Sequence, residues 1–289
     1  MAGGLIAVVA VVASRLCSRL EPLYNGQTLS TWLRTYRGDV GWRRDEAFIA
    51  VRQIGTNAIP FLLSDLQYEV PAWKVRIWTS VAWSLARGPI VVRNRWYKLE
   101  PENKRRPLAL AGFEILGPYA SPAIPELLGQ MEQQSTQQGC FWALSCIGQE
   151  AIAALLEVAT NAATPVERRA CAVAALGAMG TKASNCVPVL ISCMDGENKL
   201  ATSAAVALGS VATDSESAQK ALIRMMLSSD PSLRAGGIQG LRNLWLRNRS
   251  AQAVVEPLRA SLSDTSVEVR LAATNVTNEI RPSAPEIFK

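Results

Sequence analysis

Hydrophobic and small residues recur along this chain with a constant period. Leu144, Leu176 and Leu208 each lie in a run of Ala and other small residues that reads as a helix and contains an apolar-Gly step. The intervals from Leu144 to Leu176 and from Leu176 to Leu208 are both 32 residues. A fixed period in this range indicates stacked supersecondary units rather than a closed globule.

The same register extends in both directions from these three copies. Each unit predicts two helices: a first helix with apolar residues at helical spacing, a short turn at or near a Gly, and a second helix with Pro in its first turn. No alternating run of strand length competes, so we predict an all-α chain. We expect an α-solenoid of about eight helical pairs over residues 44–289, the last pair incomplete. The other positions in register are Val51, Trp83, Phe113, Leu241 and Val276.

Several residues have the spacing of helix starts. Thr164 with Glu167, Thr213 with Glu216, and Thr265 with Glu268 fit a capping box, in which a hydroxyl and a carboxylate satisfy the first backbone N–H groups. Asp230 followed by a proline predicts a capping residue and a first-turn proline.

The repeat pattern resembles a known family. The pattern Val-Arg-x-x-Ala-x-x-x-Leu-Gly, followed by Ala-Ile-Pro-x-Leu, is similar to HEAT repeats of the short bacterial kind over roughly 245 of the 289 residues. The resemblance implies a right-handed superhelix with first helices on the convex side and second helices on the concave side, where partners usually bind. The second unit departs from the pattern after Gly88, which puts its second helix in doubt.

The N-terminal region divides into two segments. Residues 1–20 are mostly apolar, and Ala2–Ala13 as a helix would span about 18 Å, against about 30 Å for the hydrocarbon core of a membrane. We interpret them as a signal or anchor whose upstream part is missing. The alternative is an apolar helix that packs on the end of the solenoid.

Residues 21–43 predict a capping segment. A turn at Asn25-Gly26 precedes a short helix with Leu29, Trp32, Leu33 and Tyr36 on one face. The segment resembles the lead-in of predicted HEAT proteins that carry a hydrophobic N-terminal anchor.

Charge and tryptophan are concentrated in the N-terminal third. Residues 1–110 carry 16 Lys and Arg against 8 Asp and Glu, whereas residues 111–289 carry 14 against 16, and six of the eight tryptophans precede residue 100. One interpretation is an anionic partner, either lipid headgroups or nucleic acid. The other is ordinary solvated arginines and core tryptophans. The candidate partner-binding residues are Trp73, Arg76, Arg93, Arg95, Trp96, Lys98, Lys104, Arg105 and Arg106.

The chemical inventory argues against catalysis. Histidine is absent, which excludes Ser-His-Asp and Cys-His nucleophiles and His-containing metal sites. The six cysteines include no C-x-x-C pair, so we expect most of them to be small buried hydrophobes. We therefore predict no enzyme activity, no cofactor and no metal.

Three functions follow from these observations. The first is a non-catalytic scaffold that binds another protein, tethered at a membrane or exported to the cell envelope, with a cytoplasmic location as the alternative. The second is binding of nucleic acid or another anionic partner through the basic, Trp-rich third. The third is a helper for chromophore attachment, because short HEAT-like repeats also occur in bilin lyases.

Overall fold

The computed structural model describes residues 21–38, 41–68, 105–131, 134–212, 216–248 and 252–283. The chain divides into two compact units, Met1–Leu127 (unit 1) and Leu128–Lys289 (unit 2). Apart from one two-residue hairpin, the regular structure of the described residues is helical, which confirms the all-α prediction.

The described part of unit 1 starts with a β-hairpin whose turn follows from its sequence. Asn25 and Gly26 have φ of 48° and 74°, the left-handed conformation that a two-residue hairpin turn requires and that Asn-Gly adopts readily. The helix that follows buries Leu29, Trp32 and Leu33, as its apolar spacing predicts, and the Trp32 indole donates a hydrogen bond to the Tyr24 carbonyl at 3.1 Å. The elements are β1 (Leu23–Tyr24), β2 (Gln27–Thr28), α1 (Leu29–Gly38), α2 (Trp42–Ile54), α3 (Ile59–Leu66), α4 (Arg105–Leu116) and α5 (Ile124–Gln130), which ends within unit 2.

Unit 2 alternates first and second helices in chain order. Each first helix packs against the first helix of the next repeat, and the second helices pack against the first helices that follow them. This pattern of neighbour contacts is that of an α-solenoid. The helices are α6 (Gln134–Ile147), α7 (Gln149–Thr160), α8 (Val166–Met179), α9 (Val187–Cys193), α10 (Asn198–Val211), α11 (Glu216–Met226), α12 (Pro231–Asn248), α13 (Gln252–Ser261) and α14 (Val267–Ile280).

The predicted repeat register coincides with the core. Each described register position lies on a first helix and has a relative exposure of 0 or 1%. Trp83, the remaining position, lies outside the described residues. The confirmed positions are Val51, Phe113, Leu144, Leu176, Leu208, Leu241 and Val276.

The turn between first and second helices depends on glycine at recurring positions. Gly55, Gly117, Gly148 and Gly180 have φ of 60°, 53°, 84° and 60°, a region that side chains with a Cβ rarely adopt. The chain leaves α2, α4, α6 and α8 through this conformation, whereas α10 is followed by Ala212 in an extended conformation. This explains the Gly after the apolar residue in the repeat.

Of the predicted helix starts, one is correct and two are wrong, and Thr213 lies outside the described residues. Asp230 accepts a hydrogen bond from the Ser232 amide at 2.8 Å, and Pro231 is the first residue of α12. The capping boxes at Thr164 and Thr265 do not form, because α8 and α14 begin one residue later than a threonine cap requires, after Pro165 and Ser266, and neither start carries a side-chain cap.

Polar links in unit 2 join neighbouring repeats. Arg234 on α12 forms a two-point ion pair with Asp264, with N–O distances of 2.7 and 2.8 Å. Arg242 and Glu279 make a similar pair at 2.5 and 2.8 Å between α12 and α14. Arg234 also donates to the Ser228 carbonyl at 2.9 Å, so this side chain satisfies an orphan carbonyl after the preceding helix.

Candidate partner-binding surface

Most of the predicted site lies outside the described residues. This applies to Trp73, Arg76, Arg93, Arg95, Trp96, Lys98 and Lys104, so their grouping stays a prediction. Arg105 and Arg106 are described and begin α4.

Both described arginines make contacts within unit 1. The Arg105 guanidinium lies 4.1 Å from the ring centroid of Tyr68 and 3.8 Å from the Asp65 carboxylate. Arg106 donates from Nε to the Leu66 carbonyl at 3.2 Å. These contacts tie the start of α4 to the end of α3, which is a structural role. A partner role for either residue stays a prediction.

A different group of arginines and aromatic residues meets on the surface of unit 1. Helix α2 carries Arg44, Phe48 and Arg52 at intervals of four residues, so the three side chains lie along one face. Tyr36 reaches this face from α1, and Tyr119 reaches it from the 3-10 turn Gly117–Ala123.

The side chains form a continuous series of ring and guanidinium contacts. Arg44 lies 4.7 Å from the ring centroid of Tyr36, and the Tyr36 and Phe48 rings are 6.5 Å apart. Arg52 contacts both Phe48 and Tyr119, at 5.1 and 5.2 Å from their ring centroids. These distances are within the range of cation–π attraction.

Helix α2 adds a second stacked pair at its first turn. Arg43 lies 5.4 Å from the ring centroid of Trp42, and Trp42 is 70% exposed. Tyr119 is 61% exposed. We call the group Tyr36, Trp42, Arg43, Arg44, Phe48, Arg52 and Tyr119 the arginine–aromatic surface.

Hydrogen bonds hold the end of this surface that lies near α4. Arg44 donates to the Tyr36 hydroxyl at 3.4 Å, and that hydroxyl donates to a Glu114 carboxylate oxygen at 3.4 Å. The hydrogen bond that Arg44 donates to Tyr36 raises the pKa of the Arg44 guanidinium above its ordinary value, and Glu114 adds to this electrostatically. Arg37 also donates to the Pro107 carbonyl at 2.8 Å, which fixes α1 against α4.

Sequence reasoning missed this surface. The spacing of Arg44, Phe48 and Arg52 was a readable signal, because a helix places all three on one face. The contributions of Tyr36 and Tyr119 depend on how α1 and the later 3-10 turn pack on α2, which spacing does not show. The surface lies on a first helix, whereas the family resemblance implied second helices for the partner.

Unit 2 contains a shallow groove with different chemistry. It has a volume of about 430 Å³ and runs across three first helices, α6, α8 and α10. Its walls are small and mostly apolar, with only hydroxyls as polar groups. The lining residues are Phe141, Ala174, Gly177, Ala178, Thr202, Ser203, Val206, Ala207 and Ser210.

The described cysteines are free thiols. Cys140, Cys186 and Cys193 are buried, and Cys146 and Cys171 are half-buried, which agrees with a packing role. Burial raises the pKa of the Cys171, Cys186 and Cys193 thiols, so they remain protonated and weakly reactive at neutral pH.

Within the described residues, a metal-binding cluster and a membrane-spanning helix are both absent. No group of three or more Cys, Asp and Glu side chains there is arranged to hold a metal ion. None of the helices that the structure describes combines the length and apolar character needed to cross a membrane.

Comparison with known proteins gives likeness of architecture alone. No protein-family model and no curated protein matches the chain. A chain of the complex of CpcE and CpcF of phycocyanin lyase from Nostoc sp. PCC7120 is 22% identical, with 54% of this chain and 98% of that chain covered and a TM-score of 0.47. An engineered protein is 16% identical over 89% and 99% of the two chains, with a TM-score of 0.39. Human deoxyhypusine hydroxylase in complex with glycerol is 14% identical over 88% and 96%, with a TM-score of 0.36.

The helices and the contacts between neighbouring repeats define the described residues as an all-α protein of stacked helical repeats. The likenesses above assign it no activity.

Proposed function

We propose that this chain is a non-catalytic, HEAT-like scaffold that binds another protein, and that the arginine–aromatic surface of unit 1 is its contact surface. The observation that carries the proposal is the exposure of large rings beside arginines on a single face. Aromatic residues and arginine dominate the binding energy of protein interfaces. They supply large contact area, and their few rotatable bonds keep the entropy cost of binding low.

The exposed apolar groups on this face extend beyond the rings. Ile49 is 55% exposed and Phe48 37% exposed. Ile49 follows Trp42 by seven residues, so both lie on one side of α2, adjacent to the side that carries Phe48 and Arg52. Single exposed apolar residues need no explanation, but a contiguous group rimmed by charges is typical of an interaction site. The absence of histidine from the chain favours binding over catalysis.

Site-specific photo-crosslinking tests this proposal. A photoreactive amino acid replaces Trp42 in one sample and Trp142 in another, and each protein is irradiated in a lysate of the source organism. Trp142 is a matched control because it is a tryptophan on a first helix of unit 2 with 49% exposure. We expect a discrete product from position 42 that is missing at position 142 and that weakens when Tyr119 is replaced by Ser. The partner identified in that product, purified separately, should then bind the wild-type chain directly. Identical products from both positions would refute the proposal.

The membrane tether, the nucleic-acid alternative and the chromophore-attachment alternative stay predictions. The first depends on residues 1–20, and the second mainly on residues 73–104; both ranges lie outside the described residues. The third has only the repeat resemblance behind it.

A further inference from the structure

Arg52 is held in one position more firmly than an exposed arginine usually is. Its Nε donates to the Ile115 carbonyl at 3.2 Å, and its guanidinium carbon lies 5.1 Å from the ring centroid of Phe48 and 5.2 Å from that of Tyr119. The guanidinium is thus anchored to backbone through Nε and in cation–π contact with two rings. Such an arrangement removes much of the rotational freedom that a long side chain otherwise loses on binding.

The same arrangement leaves the outer edge of the guanidinium available. Within the described ranges, neither terminal nitrogen of Arg52, Nη1 or Nη2, has a hydrogen-bond partner, and the residue is exposed. Two parallel N–H groups on a planar fork match the two oxygens of a carboxylate. Because Nε already donates to the Ile115 carbonyl, the two N–H groups that can bind a carboxylate are those of Nη1 and Nη2 at the tip of the side chain.

A second guanidinium lies along the same helix. Arg44 precedes Arg52 by eight residues, which is about 12 Å along a helix axis. Two carboxylates four residues apart in an extended peptide are separated by roughly 13 Å on one side of the strand. An extended acidic segment can therefore face both arginines.

We propose that Arg52 is a preorganised receptor for a carboxylate side chain, and that the arginine–aromatic surface selects an acidic segment of its protein partner. This inference rests on the proposed function and adds the chemistry of the partner. It favours discrete carboxylates over a polyanion because the described residues of unit 1 contain seven arginines and six Asp or Glu. Asp45, Glu46 and Glu114 lie among the arginines, and they would repel a continuous phosphate backbone.

The experiment uses defined peptides and the full chain. Two fluorescein-labelled peptides have the same extended Ser/Thr background, one with two glutamates four residues apart and the other with glutamine at both positions. Binding is measured by fluorescence anisotropy at about 50 mM salt, where charge interactions are weakly screened. We expect the glutamate peptide to bind at least about fivefold more tightly, since charge-assisted hydrogen bonds are about twice as strong as neutral ones.

Three variants distinguish the two-pronged hydrogen bonding of the Arg52 guanidinium from the effect of its positive charge alone. Arg52→Gln should lose at least about fivefold in affinity for the glutamate peptide, and Arg52→Lys nearly as much, because Lys keeps the charge but not the fork. Arg34→Gln is the matched control: it lies in unit 1, is exposed, and removes the same charge away from the rings. It should change the affinity by less than about twofold.

The outcomes that overturn the inference are specific. Equal losses of affinity for the glutamate peptide in Arg52→Gln and Arg34→Gln would show that the net charge of unit 1, and not the Arg52 fork, attracts the peptide. Equal affinity for the two peptides would remove the carboxylate preference. Displacement of the glutamate peptide by a short single-stranded DNA at lower concentration than by unlabelled peptide would indicate a nucleic-acid surface.

A fourth variant keeps the inference testable if Arg52→Gln does not fold. Tyr119→Leu keeps every charge and removes one ring beside the guanidinium. It should therefore lower the affinity for the glutamate peptide by about threefold. Unchanged affinity in this variant would also refute the preorganisation. If Trp42 crosslinks a partner while the glutamate preference is absent, only this inference fails and the proposed function stands.

Discussion

Gly209 of α10 and Gly240 of α12 bring two first helices into backbone contact. A Cβ added to Gly209 would overlap the carbonyl group of Gly240, and a Cβ on Gly240 would lie 2.6 Å from the Ala205 carbonyl oxygen. Real Cβ atoms do not approach a backbone oxygen so closely. The small residues of the repeat therefore set the distance between neighbouring repeats at this point.

Replacing Gly209 by Ala should separate these helices. We expect Gly209→Ala to lower the free energy of unfolding by about 3 kcal/mol, because overpacking of a close-packed contact costs about 1–3 kcal/mol and the obstacle is backbone. Gly129→Ala is the matched control, since Gly129 lies on helix α5 with nothing within 4 Å of an added Cβ. It should be neutral or stabilising by up to about 1 kcal/mol. Urea unfolding followed by circular dichroism checks both, and a Gly209→Ala protein as stable as wild type would contradict the close contact.

Truncation of two tryptophans of unit 1 should change the free energy of unfolding by very different amounts. Trp32 is 3% exposed and its indole donates to Tyr24, whereas Trp42 is 70% exposed. We expect Trp32→Ala to lower the free energy of unfolding by about 3–5 kcal/mol. Trp42→Ala should change it by less than about 0.5 kcal/mol. Thermal and urea unfolding measure both variants, and a large loss for Trp42→Ala would mean that this ring belongs to the core.

Among the residues that the structure describes, the buried hydroxyl of Thr277 finds no hydrogen-bond partner. The residue is 3% exposed on α14, and its Oγ1 has no partner within reach. Thr277→Val keeps the shape and removes the unsatisfied group, so it should raise the free energy of unfolding by about 1 kcal/mol. Thr274→Val is the control on the same helix, because Thr274 is exposed and donates to the Arg270 carbonyl. Equal effects in both variants would show that Thr277 is satisfied in solution, for example by water.

The ion pair between Asp264 and Arg234 should make stability depend on pH. Hydrogen bonds from Arg234, and then from the Ser266 amide, lower the pKa of Asp264 below its ordinary value. A carboxylate whose pKa is lowered by folding stabilises the protein above its unfolded pKa of about 3.9. That contribution disappears as the pH falls through the folded pKa. The stability difference between wild type and Asp264→Asn should therefore be largest near neutral pH and shrink below about pH 4.

Urea titrations at several pH values test this dependence. Glu216→Gln provides the comparison, because Glu216 and Lys220 are 79% and 74% exposed, and exposed pairs contribute little to stability. A constant difference between wild type and Asp264→Asn across the acid range would contradict the role of Arg234.

The buried thiols should resist alkylation in the folded protein. Burial raises the pKa of Cys186 and Cys193, which lowers the fraction of reactive thiolate. We expect iodoacetamide to modify both at least about tenfold more slowly in the native protein than in urea, because access and thiolate fraction both fall. Peptide mapping by mass spectrometry measures each site. Rapid labelling of Cys186 or Cys193 in the native state would place that thiol at the surface.

The helical register was predictable because one physical requirement repeats. Leu176 and Leu208 occupy the same buried position in successive repeats, and the chain supplies an apolar residue there each time. Gly180 was predictable as a turn for a similar reason, because its positive φ excludes most other residues.

The candidate surface was less predictable because it depends on packing between segments distant in sequence. Tyr119 contacts Arg52, which lies 67 positions earlier in the chain, and no local sequence pattern predicts that contact. The capping boxes at Thr164 and Thr265 were wrong because the spacing of a hydroxyl and a carboxylate does not specify the backbone conformation around them. At Thr265, Asp264 bonds to the Ser266 amide, and α14 begins after that residue.

The links between adjacent repeats also bear on how unit 2 folds. Arg234 to Asp264 and Arg242 to Glu279 span 30 and 37 positions, so each closes a loop no longer than about one repeat. Short loops cost little chain entropy, and proteins rich in local contacts fold quickly. Unit 2 can therefore nucleate at any well-packed pair of repeats and grow by adding neighbours. For the same reason, damage to one link should loosen the nearest repeats and leave distant ones folded.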